Sequence, residues 1–112
     1  MNWESLKEIS QLEDIKEESK SQAIGLFKHS TRCSISATAL DRLERNWAKA
    51  DKKDGIKFYY LDLIAHRDIS NKIAADFGVE HESPQFLLIK DGEVSYHESH
   101  YGINLDEILE KV

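Results

Sequence analysis

Hydrophobic positions along the chain follow two spacings. Runs rich in apolar and aromatic residues, typical of buried strands, occupy residues 23–27, 56–63 and 86–90. Apolar residues three or four positions apart, typical of helices with one inward face, occupy residues 10–20, 35–50 and 69–77. Because the two patterns alternate along the chain, the sequence predicts an α/β domain.

Capping residues predict where several helices begin and end. Ser10 and Glu13 have the spacing of a capping box at the start of the first helix. Gly78 is expected to end the third helix, because glycine accepts the left-handed conformation that follows many helices. Asn104 is expected to cap a last helix, with Glu107 reaching back toward it.

The remaining connections complete the predicted order of elements. Asp91-Gly92 predicts a two-residue hairpin turn from strand 86–90 to an antiparallel partner over residues 93–98. The segment 51–55, four charged residues and a glycine, is expected to break the second helix. The apolar positions within residues 3–9 are compatible with either an edge strand or a loose helical turn. The order is therefore β(?)αβαβαββα. Gly25 either weakens its strand or marks a close approach of another group to the backbone.

Composition narrows the class of protein. A chain of 112 residues is expected to form one domain, residues 1–112, with its own core. The net charge of −6 disfavours broad nucleic-acid binding, which needs a basic face. We find neither a signal peptide nor an apolar run long enough to span a membrane. The single cysteine cannot form an internal disulfide, so a cytoplasmic location is expected.

Cys33 lies where a predicted strand ends and a predicted helix begins. A helix start presents unpaired backbone N–H groups and the positive end of the helix dipole, and both favour a thiolate over a thiol. Arg32 adds a fixed positive charge next to it. A lone cysteine is often a buried, inert residue, but this placement favours a reactive one. The only proline, Pro84, opens the later strand 86–90.

Two stretches carry a family resemblance that covers essentially the whole chain. Residues 77–94 read Phe-Gly-Val, three residues, then Ser-Pro-Gln-Phe-Leu-Leu-Ile-Lys-Asp-Gly-Glu-Val, and this stretch resembles the cis-proline segment of thioredoxins. Residues 29–36 read His-Ser-Thr-Arg-Cys-Ser-Ile-Ser and resemble the monothiol bacilliredoxins, small bacterial proteins tied to the thiol bacillithiol. Ser34 departs from the proline that usually follows the cysteine in that family.

The resemblance implies a thioredoxin-like α/β fold, with a central mixed sheet of four to five strands and helices on both faces. It implies that Cys33 is the nucleophile and that a cis Ser83–Pro84 bond packs beside it, leaving the Ser83 backbone free to pair with an extended substrate. Candidate substrate-binding residues flank these two points: Thr31, Arg32, Ser34, Ser36, Ser83 and Pro84.

The residues near Cys33 limit what it can do. The position three residues later, where thioredoxins carry a second cysteine, is Ser36, and a hydroxyl cannot displace a disulfide. We therefore expect Cys33 to remove a bacillithiol-type thiol from mixed disulfides on proteins, and an external thiol to complete the cycle. The small thiol is a co-substrate, and no tightly bound cofactor is expected. Thr31 and Ser36 either hydrogen-bond the thiolate or cap the helix. Arg32 and Lys28 either attract the carboxylates of the small thiol or are two solvated charges.

Other functions stay open. A thioredoxin-like domain with one cysteine is also a candidate adaptor that binds partners without turnover, or a glutaredoxin-like carrier of an iron–sulfur cluster. His97 and His100 are spaced for a metal but lack a third ligand nearby in the sequence, so no metal site is predicted. His29 could serve a cysteine hydrolase as a base, yet no oriented Cys-His-Asp set is apparent. We expect a monomer or a weak dimer.

Overall fold

Strands and helices alternate along the computed structural model, which describes residues 1–50 and 55–112. The elements are β1 (Trp3–Ser5), α1 (Gln11–Glu18), β2 (Ala23–His29), α2 (Ser34–Lys49), β3 (Ile56–Asp62), α3 (Arg67–Phe77), β4 (Gln85–Lys90), β5 (Glu93–Ser99) and α4 (Leu105–Glu110). A single 3₁₀ turn, His100–Gly102, connects β5 to α4. The predicted order is confirmed, and the open choice at residues 3–9 resolves to a short edge strand.

The strands form one mixed sheet in the order β1-β3-β2-β4-β5. β1 and β2 run parallel to β3, whereas β4 is antiparallel to both β2 and β5. β2 is the central strand, and all seven of its residues are buried. The parallel pairs need crossover helices, which cover the sheet and bury its two faces. This arrangement confirms the predicted thioredoxin-like α/β fold.

The side chains of β2 alternate between the two faces of the sheet, and a layer of the core lies on each face. Ile24 and Leu26 face one side, where they pack with residues of α1 and α3 such as Ile15 and Ile69. Phe27 faces the other side, within the layer that holds the buried residues of α2 and α4. Since side chains of a strand alternate between faces, Lys28 lies on the α1/α3 face and His29 on the α2/α4 face.

Gly25 is required by the packing of aromatic rings on the α2/α4 face. A Cβ atom at this position would lie 2.6 Å from Cζ of Phe86 and 2.9 Å from Cδ1 of Phe58. Both distances are shorter than carbon atoms tolerate. Of the two roles that the sequence left open, the close approach to the backbone is therefore the correct one.

Helix ends show which capping predictions hold. Asn104 caps α4, because its Oδ1 accepts the backbone N–H of Glu107 at 3.2 Å, as predicted. The Glu107 carboxylate accepts from the Tyr96 hydroxyl rather than reaching back to the cap. The predicted capping box at Ser10 is wrong: its side chain makes no capping hydrogen bond. The Gln11 side chain accepts backbone N–H groups of the preceding turn instead.

The other predicted boundaries lie close to those observed. Gly78 ends α3 with a φ of +66°, in the left-handed region expected there. Of the segment predicted to break the second helix, residues 51–54 lie outside the described residues. Within the described ranges, no helix is long and apolar enough to cross a membrane.

Candidate functional site

Cys33 is the N-cap residue of α2, with φ −109° and ψ 121°. β2 ends at His29, and the turn that follows closes with a hydrogen bond from the Cys33 N–H to the Ser30 carbonyl at 3.2 Å. The Cys33 carbonyl accepts the first helical bond, from the Ala37 N–H at 3.0 Å. The thiol is partly exposed. Its predicted position at a strand-to-helix junction is therefore confirmed.

The charges around this helix start favour an anion. α2 is 16 residues long, and its first turn contains no acidic residue. The positive end of its dipole is therefore not offset by a carboxylate of the same turn. The neighbours Thr31, Arg32 and Ser34 are all exposed. Within residues 1–50 and 55–112, the Arg32 guanidinium makes no ion pair, so its charge is available to an incoming ligand.

Ser36 points into the protein from the first turn of α2. Its side chain is fully buried, and its Oγ accepts the Ser30 N–H at 3.0 Å. The same Oγ lies 2.7 Å from Nδ1 of His29. The hydrogen bonds of this hydroxyl therefore go to the end of β2 and to the turn before Cys33. It holds in place the backbone that presents the thiol.

His29 is the partner that fixes Ser36. The imidazole is buried between the rings of Phe27 and Tyr60, with centroids at 5.9 and 5.5 Å. Burial lowers the pKa of His29, and the Asp62 carboxylate opposes that shift in part. The ring is therefore neutral at pH 7, and Nδ1 can accept a hydrogen bond from the Ser36 hydroxyl. The sequence indicated His29 only as a possible base. Its packing role follows from its place on the same face of β2 as Phe27, which is apparent only because the strand extends to His29.

Ser83 and Pro84 lie at the same edge of the sheet as Cys33. In the β2–β4 pair, Lys28 lies opposite Gln85, so the end of β2 and the start of β4 meet there. The Ser83–Pro84 peptide bond is cis, as the resemblance implied. Pro84 is buried, whereas Ser83 is half-buried. The Oγ of Ser83 is buried and finds no hydrogen-bond partner among the described residues.

The turn after β5 completes this edge and was not identified from the sequence. The His100 N–H donates to the Pro84 carbonyl at 2.9 Å, which joins the 3₁₀ turn before α4 to the proline. His100 has a φ of +55°, an uncommon conformation for a residue other than glycine. The next residue, Tyr101, is 66% exposed. In the sequence, His97 and His100 were noted only for a spacing compatible with a metal, and no metal site was predicted there. The described residues contain no group of three or more possible metal ligands.

Lys28 is not the solvated charge that the sequence allowed. Its side chain is fully buried, on the face of β2 opposite His29. Arg32 is exposed in the turn before α2. The two cations are therefore in different environments, and of the two only Arg32 is exposed to solvent.

Comparisons with known proteins agree with this geometry. A family model described as monothiol bacilliredoxin BrxC matches residues 4–108. A solved structure with a thioredoxin fold, assigned provisionally as an oxidoreductase, is 33% identical, with a TM-score of 0.79 over 95% of this chain and 89% of that one.

Two thioredoxins resemble the chain in fold alone. The thioredoxin of Fasciola hepatica is 20% identical, with a TM-score of 0.71 over 96% of this chain and 93% of its own. The thioredoxin of Malassezia sympodialis is 13% identical, with a TM-score of 0.76 over 98% of this chain and 90% of its own.

Proposed function

The chain belongs to the monothiol bacilliredoxin family, and we propose that it removes a bacillithiol-type small thiol from mixed disulfides on proteins, with Cys33 as the nucleophile. The observation that carries this proposal is the pairing of two positions on α2. Cys33, which is partly exposed, is the N-cap residue of the helix, and three residues later a buried hydroxyl stands where a second thiol would resolve the product. Thiol–disulfide chemistry is the activity that the family and the fold support.

The reaction is an exchange of one disulfide for another, without net oxidation. The Cys33 thiolate attacks the sulfur of the small thiol in the mixed disulfide. The bond from that sulfur to the client protein breaks, and the client cysteine leaves as a thiolate that takes a proton from water. The product is a disulfide between Cys33 and the small thiol.

The surroundings of Cys33 support both halves of this exchange. The positive end of α2 stabilises the Cys33 thiolate as it attacks and again when it leaves. The Arg32 guanidinium is free of ion pairs with the described residues and faces the solvent from which a carboxylate-bearing thiol arrives. It is the candidate that recognises the small thiol.

Ser36 stops the reaction at the mixed disulfide. Its oxygen is committed to Ser30 and His29, and a hydroxyl does not displace a sulfur from a disulfide. A second small thiol must attack the adduct, releasing the Cys33 thiolate and a disulfide of the two small molecules. The protein therefore depends on an external thiol to turn over.

The segment of Ser83 and Pro84 is the candidate site for the client protein. It adjoins the end of β2 and is half-exposed at Ser83, so its backbone is accessible to an extended peptide. Backbone pairing of this kind would select for an extended client segment rather than for its side chains.

A comparison of two disulfides tests the proposal. The reduced protein is incubated with oxidised bacillithiol and, separately, with the uncharged 2-hydroxyethyl disulfide, and intact mass is followed over time. We expect one adduct per chain at Cys33, formed faster with oxidised bacillithiol. Arg32→Gln should remove much of that preference, slowing the reaction with oxidised bacillithiol by a larger factor than the reaction with the uncharged disulfide. Absence of any adduct at Cys33 with both reagents would refute the proposal.

A further inference from the structure

Lys28 is a buried cation without an anionic partner. Its side chain is 0% exposed, a rare condition for lysine unless it is paired. Its Nζ lies 3.3 Å from Nδ1 of His81. Among the described residues no carboxylate forms an ion pair with it, and burial alone accounts for the lowering of its pKa to about 8. Burying an ammonium group without a carboxylate costs free energy. We therefore expect the contact between Lys28 and His81 to have a role that offsets this cost.

His81 belongs to the connection between α3 and β4 that leads into Ser83 and Pro84. Its Nδ1 lies 3.2 Å from the Ser70 hydroxyl of α3 as well as near Lys28 of β2. From β4, the Gln85 amide donates to the Glu80 carbonyl at 2.9 Å. Side chains of β2, α3 and β4 therefore all make hydrogen-bonding contacts with residues 80–81.

We infer that Lys28 and His81 are positioning residues, whose mutual hydrogen bond holds the segment of Ser83 and Pro84 beside the end of β2. The inference rests on the proposed function, because the position of this segment matters for exchange only if client proteins bind there. Lys28 acts through His81 and the backbone, on the opposite face of β2 from His29.

The contact depends on the protonation state of His81. Nδ1 has one lone pair, so it accepts from the Lys28 ammonium only while that nitrogen carries no proton. Burial lowers the pKa of His81 from 6.5, the charges of Lys28 and Arg67 lower it further, and Glu82 opposes them. The contact therefore requires the neutral ring with Nδ1 unprotonated. As the pH falls through the lowered pKa, two facing cations replace the hydrogen bond.

Hydrogen exchange of the His100 amide reports the position of the segment directly. This N–H donates to the Pro84 carbonyl, so it is protected only while the segment is in place. Its exchange rate is measured at pH 7 relative to that of Leu26 in β2, which follows global stability. Three variants are compared with the wild type: Lys28→Met, His81→Leu and His81→Asn. The asparagine oxygen can accept from Lys28 in place of Nδ1 but cannot be protonated.

We expect the His100 amide to exchange about tenfold faster, relative to Leu26, in Lys28→Met and His81→Leu, the effect of losing one hydrogen bond to a charged group. His81→Asn should stay near the wild-type rate, as should His97→Asn, a control at an exposed histidine of β5. If His81→Leu does not fold, Lys28→Met decides the result. Wild-type relative exchange in Lys28→Met would overturn the inference.

The reaction of Cys33 with a client protein that carries bacillithiol in mixed disulfide supplies a pH profile. The ratio of the wild-type rate constant to that of His81→Asn should fall several-fold between pH 7.5 and pH 5, because only the wild type loses the contact. A ratio that is constant over this range would contradict the inference. If the wild type forms no adduct at any pH, the proposed function fails, while the exchange rates of the His100 amide still decide whether Lys28 and His81 position the segment.

Discussion

Nδ1 of His29 lies 2.7 Å from Oγ of Ser36, so the last residue of β2 is hydrogen-bonded to the first turn of the helix that Cys33 caps. The same oxygen accepts the N–H of Ser30 at 3.0 Å. The position that would carry a resolving thiol in a dithiol protein is therefore occupied by a structural hydroxyl. In the proposed reaction, the residue that leaves the adduct unresolved is also the one that fixes the backbone before Cys33.

Replacing Ser36 by cysteine should allow the protein to release the small thiol without an external thiol. Ser36→Cys places a thiol three residues after Cys33, one helical turn away, where it can attack the mixed disulfide and release the small thiol. After reaction with oxidised bacillithiol, intact mass should show a chain lighter by two hydrogen atoms instead of an adduct. Ser36→Ala, which loses the same hydroxyl without adding a thiol, should keep the adduct. A stable adduct on Ser36→Cys would show that the two positions do not meet.

Removing the Ser36 hydroxyl should also destabilise the fold. Ser36→Ala leaves the Ser30 N–H and the buried His29 nitrogen without their partner, a loss of about 1–3 kcal/mol in the free energy of unfolding. Thr38→Ala removes an exposed hydroxyl on the same helix and should cost far less. Urea denaturation of both variants measures the difference, and equal stabilities would show that the Ser36 hydrogen bonds contribute little.

Acidification should weaken the fold through His29, which is buried, and His81, which is partly desolvated although the residue is exposed. Burial lowers the pKa of both His29 and His81 from 6.5. Below pH 6.5 the unfolded chain therefore binds protons that the folded chain does not bind, and the free energy of unfolding falls as the pH falls. His29→Asn keeps an acceptor for Ser36 but cannot be protonated, so its stability should decline less between pH 7.5 and pH 5. Denaturation at the two pH values tests this, and parallel losses in variant and wild type would exclude His29 as a contributor.

Gly25 should not tolerate a methyl group. In Gly25→Ala the new Cβ would lie 2.6 Å from Phe86 and 2.9 Å from Phe58, so both rings must shift. We expect a loss of about 1–3 kcal/mol in unfolding free energy, as for other overpacked cores. Gly78→Asn is the control: it has open space and a φ of +66°, which asparagine accepts. Thermal or urea unfolding that leaves Gly25→Ala as stable as Gly78→Asn would contradict the packing described for β2.

The features predicted from the sequence are those set by local chemistry. The placement of Cys33 followed from an apolar run and a helical period that meet there, and Asn104 was identified as a cap by its residue type. The Ser10 cap failed because Ser10 already has helical dihedrals, φ −59° and ψ −25°, and the Glu13 N–H that its side chain would accept is bonded to the Ser10 carbonyl.

The missed features depend on packing between distant segments. β2 extends two residues past its apolar run, and it is buried on both faces. Its pattern therefore gave no sign that Lys28 and His29 lie inside, on opposite sides of the sheet. The bond from His100 to Pro84 joins backbone atoms, so no side chain in the sequence could indicate it.

Transfer of the small thiol between two proteins tests the central claim most directly. A client protein carrying one bacillithiol in mixed disulfide is mixed with an equal amount of the reduced protein, and the intact mass of both is followed. We predict that the client loses the small thiol while the wild type gains it at Cys33 and stops at one equivalent until free thiol is added. Cys33→Ser should leave the client unchanged. A client that keeps its small thiol while binding the wild type through the segment of Ser83 and Pro84 would contradict the account and favour an adaptor.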